Sequence, residues 1–266
     1  QEADAVILVI GTNSDWETEG NDRADLGLPA NQDELVDAVL AENKNTVVVI
    51  NSGSPVSMPW EDQSKAILQS WFGGQEYGNA LMDILFGEVN PSGKLPTTFP
   101  KRIEDTPAFS CYPGENSQMD YEEKLLVGHR WYERKNIKPL FPLGHGLSYT
   151  DFSYGDLEIS VSGNADVACR FNIENIGDMD GQEVAQCYVS YESSPNDEPI
   201  KSLQSFKKVL IEKQKKQEIE INLNARNFSY WDVKDKDWKI RPGSYSIEIG
   251  SSSEKIELSE TITLGN

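Results

Sequence analysis

Two periods divide the chain. Up to about residue 105 the apolar residues fall in unbroken runs separated by amphipathic stretches, whereas from about 151 they alternate singly with polar ones. "AVILVIG" (5–11) and "TVVVINSG" (46–53) carry no polar gap, the pattern of strands buried on both faces. "AILQSWF" (66–72) predicts a further strand. Between the first two, "NQDELVDAVLAENK" predicts a helix whose one face carries Leu35, Val36, Val39 and Leu40. Asn31 is its expected N-cap, with Glu34 three residues on to bond back. "QEYGNALMDILFG" predicts a second helix, with Leu81, Ile84 and Leu85 on one side and Gly87 placed to end it. Strand, crossover helix, strand is the grammar of a mostly parallel sheet with helices on its faces.

In the second half, "EIEINL" alternates plainly, with Ile219, Ile221 and Leu223 inward. Seven such strands predict an immunoglobulin-like or fibronectin-like β-sandwich. "DVKDKDW" (232–238) fits a hairpin turn better than a calcium loop, because it lacks the EF-hand spacing. Between the two patterns periodicity fades into aromatics, prolines and charges. The expected organisation is therefore α/β plus all-β: a partial α/β sandwich over 1–105, an aromatic-rich linker over 106–150, and a β-sandwich over 151–266. The linker is expected to pack Tyr121, Trp131, Tyr132 and Phe141 on both neighbours.

Charge narrows the partners. With 24 basic and 44 acidic residues among 266, the formal net charge is −20, which argues against nucleic acid and anionic membrane surfaces. Cys111, Cys169 and Cys187 are an odd, widely spaced set without a CxxC pair, so neither a disulfide framework nor a zinc site is expected. Cys169 and Cys187 sit in strand-like runs and read as buried thiols, although one bridge stays open. The sequon Asn227-Phe228-Ser229 and the acidity lean towards a secreted or acidic vesicular setting; unpaired cysteines leave the cytoplasm open. The glycines of "GGQEYGN" lack the Lys-Ser/Thr of a phosphate loop and fit close helix–sheet approach instead.

The stretch with candidate chemistry is "GTNSDWETEGNDR" (11–23), which packs Asp15, Glu17, Glu19 and Asp22 just beyond the first strand. Functional groups of open α/β sheets sit beyond the carboxyl ends of strands. Four loop carboxylates alone fit a solvated face at least as well.

The pattern Glu19-Gly20-x-Asp22-Arg23-x-x-Leu26-x-Leu28-Pro29-x-x-Gln32 resembles the family 3 glycoside hydrolases, the β-glucosidase group. "NTVVVINSGSPVSMPW", "GGQEYGNALMDILFGEVNPSGKLPTTFP", "VGHRWYE", "PLFPLGHGLSYTDFSY", "SLQSFKKV" and "RPGSYSIEIGSSS" continue the resemblance in the family's order. It implies the last part of an α/β sandwich domain followed by a fibronectin type III-like domain, with a barrel domain upstream. The abrupt opening strand then fits the C-terminal portion of a longer enzyme or a product of a cleaved precursor.

The resemblance also implies chemistry: retention of configuration, an aspartate nucleophile in the barrel, and a glutamate acid/base from the "EG-x-DR" loop, which by position is Glu19. Glu17 is its rival, since residues two apart in an extended loop can face the same way. Ser14-Asp15-Trp16 looks like the family's nucleophile triplet but lies in the wrong domain and is read as accidental. Trp16 stacks on sugar or merely packs; both readings stand. Asp22 and Arg23 are expected to fix the loop, and Asn21 stands where relatives carry an aromatic residue. His129 and His145 are read as structural. No cofactor and no metal are implied. The partners implied are a β-glucoside or oligosaccharide and the barrel-bearing part of the enzyme, with a homo-oligomer left open. The rival class is a non-catalytic binding or assembly module derived from the family.

Overall fold

The computed structural model describes residues 3–20, 22–116 and 118–265. The chain forms two compact units, Gln1–Glu88 with Phe99–Phe109, and Val89–Thr98 with Ser110–Asn266. The α/β region thus gives up residues 89–98 to the second unit, and most of the aromatic stretch belongs there too.

In the first unit, β1 (Val6–Gly11), β2 (Thr46–Asn51) and β3 (Ala66–Gln69) form a parallel sheet in that order. Val6 stands opposite Thr46 and Gly11 opposite Asn51. Helix α1 (Gln32–Glu42) crosses from β1 to β2, and α2 (Tyr77–Leu85) follows β3. The unbroken apolar run of β2 is explained by its central place, with Val48, Val49 and Ile50 fully buried. The two-sided burial expected for β1 is not found. Ile7 and Val9 are 46% and 53% exposed, because β1 ends the strand order and no described segment covers that face.

α1 buries Val36 and Leu40 but leaves Leu35 exposed. Asn31 holds the N-cap position without capping: its φ of −99° and ψ of 33° lie outside the extended conformation that aims a cap side chain at the first turn. The capping box with Glu34 is absent, and the first-turn Asp33 instead accepts the indole N–H of buried Trp60 at 2.8 Å. Gly87 takes the expected left-handed conformation after α2, with φ of 77°.

In the second unit, residues 89–98 are held by polar contacts that hydrophobic patterning does not reveal. Asn90 accepts from Ser148 Oγ and Tyr149 N at 2.9 and 2.8 Å and donates to the Asp180 carbonyl at 3.0 Å. Lys94 pairs with nearly buried Glu183 at 3.3 Å. A helix that the fading periodicity did not reveal, α3 (His129–Lys135), ends at Asn136 in left-handed conformation, with Ile137 N bonding the Tyr132 carbonyl at 2.8 Å. Tyr132 is buried as expected, but Tyr121 is 72% exposed.

The sandwich pairs two antiparallel sheets. One is β12 (Ile256–Leu264), β11 (Gly243–Gly250), β6 (Gly181–Tyr191), β7 (Lys201–Ile211); the other is β4 (Phe152–Ser162), β5 (Asp166–Asn175), β8 (Lys216–Leu223). The seven expected strands are these. The acidic turn at 232–238 joins a further hairpin, β9 (Ser229–Asp232) and β10 (Asp237–Ile240). Ile219, Ile221 and Leu223 face one core with Phe171, Ile173, Ile247 and Ile249, and the free thiols of Cys169 and Cys187 are buried in it. β6 is buried on both faces: Cys187 points to the core, and Tyr188 turns outward to meet the His129 ring of α3 at 6.0 Å.

Candidate functional site

The acidic loop leaves the sheet at a fixed point. Gln32, at the start of α1, folds its amide back onto the last residue of β1: Gly11 N donates to Oε1 at 2.8 Å and Nε2 donates to the Gly11 carbonyl at 2.9 Å. Gly11 has no room for a side chain, since a Cβ there would run into the Asn51 carbonyl of β2. The loop then turns at Asn13, whose side chain accepts Asp15 N and Trp16 N at 3.0 and 3.2 Å.

Beyond this turn the candidate residues separate. Trp16 is half-buried and donates its indole N–H to the Gly27 carbonyl at 3.2 Å. It lines a surface hollow of about 510 Å³ with Leu28, Lys101, Arg102 and Glu104. Glu17 is half-buried: its Oε1 accepts both the Thr12 hydroxyl and Gly53 N, the latter at 3.1 Å. Glu19 is exposed and makes no side-chain hydrogen bond to a described residue. Gly20 follows with φ of 84°. Asn21 lies outside the described residues.

Arg23 returns the loop to the sheet. Its Nη1 donates to Ser54 Oγ at 2.8 Å and the Pro55 carbonyl at 3.3 Å, and Nη2 reaches the Gly27 carbonyl at 3.4 Å. Burial lowers its pKa, against the raising influence of Glu17 and Asp25. Arg23 thus fixes the loop, as expected, through bonds to the Ser54–Pro55 turn.

Residues 1–149 match the Glycosyl hydrolase family 3 C-terminal domain, and residues 183–253 match the Fibronectin type III-like domain. The chain belongs to glycosyl hydrolase family 3. This family 3 chain is 41% identical over 267 residues to the thermostable beta-glucosidase B of Acetivibrio thermocellus, covering 99% of itself and 35% of that protein. It is 40% identical to the probable beta-glucosidase I of Emericella nidulans, covering 97% of itself and 32% of that protein. Among solved structures it superposes on the beta-glucosidase of Kluyveromyces marxianus in complex with glucose, with a TM-score of 0.96 and 38% identity. That match covers 100% of this chain and 32% of the other. The family 3 chain spans about a third of the length of the curated relatives it matches.

The histidines lie in the second unit of this family 3 chain, inside packed aromatic surroundings. His145 stacks on Phe141 at 5.1 Å, and burial followed by Lys94 lowers its pKa. His129 is pushed down to about 4 by burial, Arg130 and Lys201. One turn on, burial raises Glu133 to about 7, against the opposing charge of Lys201 3.9 Å away. Among the described residues, neither Glu133 oxygen nor His129 Nε2 has a hydrogen-bond partner. Sequence reasoning missed this cluster, which α3, Lys201 of β7 and Glu248 of β11 assemble. It also missed the Glu17 anchor, for which Gly53 beside "NS" was the one available signal, whereas the Arg23 fastening was expected.

Proposed function

We propose that this chain supplies the general acid/base, Glu19, of a retaining β-glucosidase that hydrolyses terminal non-reducing β-D-glucosyl residues. The aspartate nucleophile comes from a barrel domain outside these residues. Support comes from the family membership and from the names of the relatives. The observation that carries the residue assignment is the contrast within one loop. Glu17 has its bonding oxygen occupied by protein donors, whereas Glu19 stands on the exposed arm between two anchors with no described partner.

In the proposed mechanism the Glu19 carboxyl protonates the glycosidic oxygen as the nucleophile attacks the anomeric carbon. The resulting carboxylate then takes a proton from the water that cleaves the glycosyl-enzyme. The two carboxyl groups stand ~5–5.5 Å apart in retaining enzymes, and negative charge on one at that distance favours the protonated form of the other.

Glu19→Ala and Glu19→Gln in the complete enzyme test the reading. Glycosides with poor leaving groups should lose about 10²–10⁴-fold in kcat/KM, and activated aryl glucosides should lose far less in glycosylation. Azide should restore turnover of Glu19→Ala and yield glucosyl azide. Unaltered kinetics on a poor leaving group would reject the assignment.

A further inference from the structure

We propose that Glu17 is a positioning residue that sets where Glu19 can reach, and that it does so through one oxygen acting as a double acceptor. The inference rests on the reading of Glu19 as the acid/base.

The geometry is a clamp between strand ends. Thr12 follows β1 directly, and its N–H bonds the Asn51 carbonyl at 3.0 Å, so it moves with the sheet. Gly53 lies two residues past β2. Glu17 Oε1 accepts from both, and so ties the loop to two neighbouring strand ends at once. Its Oε2 faces Gly53, where a Cβ would fall 2.7 Å from that oxygen and 2.8 Å from Phe72 Cε2. Glycine is therefore the residue that lets the carboxylate sit there.

The loop is fastened a second time, to the same turn, by Arg23 on Ser54 and Pro55. Glu19 lies in the short span between these fastenings, two residues from the first. Two residues of chain reach at most ~7 Å, so the Glu19 backbone cannot stray far from its anchor. A proton donor held near its productive position before substrate arrives carries less ordering cost into the reaction. Glu17 itself is poorly placed to donate, since the oxygen that bonds protein takes two donors and the other abuts the turn.

Because both bonds fall on one oxygen and both partners are donors, an amide oxygen can replace it. In the complete enzyme, Glu17→Gln should keep kcat within about threefold of the parent. Glu17→Ala should lower kcat about 10²-fold for poor leaving groups and less for activated aryl glucosides, with KM little changed and no rescue by azide, because the Glu19 carboxyl is still present. Gly53→Ala should move kcat in the same direction by less. Thr12→Val, which removes one donor and keeps the shape, gives an intermediate loss and serves if Glu17→Ala does not fold. Parental kcat in Glu17→Ala or Thr12→Val would overturn the positioning role and leave Glu19 as the acid/base. If instead Glu17→Gln is as damaged as Glu17→Ala, mainly on poor leaving groups and with azide rescue, Glu17 is the acid/base and the Glu19 reading falls with it.

Discussion

The two units solve the burial problem differently. The sandwich closes on itself: Phe171, Ile173, Ile219, Cys187, Ile247 and Ile249 are all buried to within 1% in a core built by facing sheets. The α/β unit buries β2 and the inner face of α1 but leaves Ile7, Val9, Phe72, Met82 and Phe86 exposed, and α2 has no fully buried residue. Buried polar groups occur in both units: Lys94, Glu183 and Gln186 bond internally in the second, whereas Glu133 and His129 Nε2 there have no hydrogen-bond partner among the described residues. The exposed carboxylate proposed for catalysis lies in the unit with the open surface. A self-contained sheet pair is a support, whereas an incompletely covered α/β sheet has strand ends free to carry a site.

The sharpest way to break this comparison is to delete one large side chain from each unit. Phe171→Ala should destabilise the sandwich by about 3–5 kcal/mol, because a closed core collapses poorly around a cavity. Met82→Ala, at 45% exposure, should alter the stability of this chain by less than about 0.5 kcal/mol. Urea unfolding followed by circular dichroism measures both, and equal costs would end the contrast.

Next in size is the pH response of the α3 cluster. Glu133 has its folded pKa raised to about 7, so its stabilisation is complete below the unfolded value of about 4.5 and is lost as pH rises through 7. His129 has its folded pKa lowered to about 4 from 6.5, so its stabilisation is complete above 6.5 and is lost as pH falls towards 4. Between pH 4.5 and 6.5 the two protons oppose each other and the slopes nearly cancel. Glu133→Gln should therefore uncover a stability that rises with pH in that window by up to about 1.4 kcal/mol per unit, and His129→Phe one that falls. Parallel pH profiles for the parent and both variants would show that the cluster does not titrate this way.

For the open unit, Gln32→Ala removes the amide that brackets Gly11 and should cost about 1–3 kcal/mol, since it strands a half-buried N–H and carbonyl. Hydrogen exchange of Gly11 N reads this directly; unchanged protection would mean that the anchor is dispensable. The smallest effect belongs to Arg170→Ala, which breaks an exposed pair with Glu220 at 2.7 Å and should leave the unfolding midpoint where it is.

Elements with strong patterning were legible: the central strand β2 from its unbroken valines, the sandwich strands from period two, and the loop after β1 from its place in the α/β order. The family resemblance pointed to Glu19 within that loop. Cap and loop details were not legible, because they depend on backbone angles. Asn31 sits where a cap belongs and does not cap, and Tyr121 looks like packing material and is exposed. Asn227 makes the same point. The sequon is plain in the sequence, yet its side chain accepts Asn224 N at 2.8 Å and donates to Gln204 Oε1 at 3.2 Å.

What the sequence by itself determined is the period of each region, and with it a parallel α/β sheet followed by an antiparallel sandwich, since side-chain periodicity dictates which faces can be buried. The tertiary structure alone decided which of two glutamates is tied down, which aromatic residues are covered, and where the chain divides. Those outcomes rest on hydrogen bonds and burial between segments distant in sequence, as Glu17 to Gly53 and Lys94 to Glu183 show, and no local pattern encodes which donor will arrive.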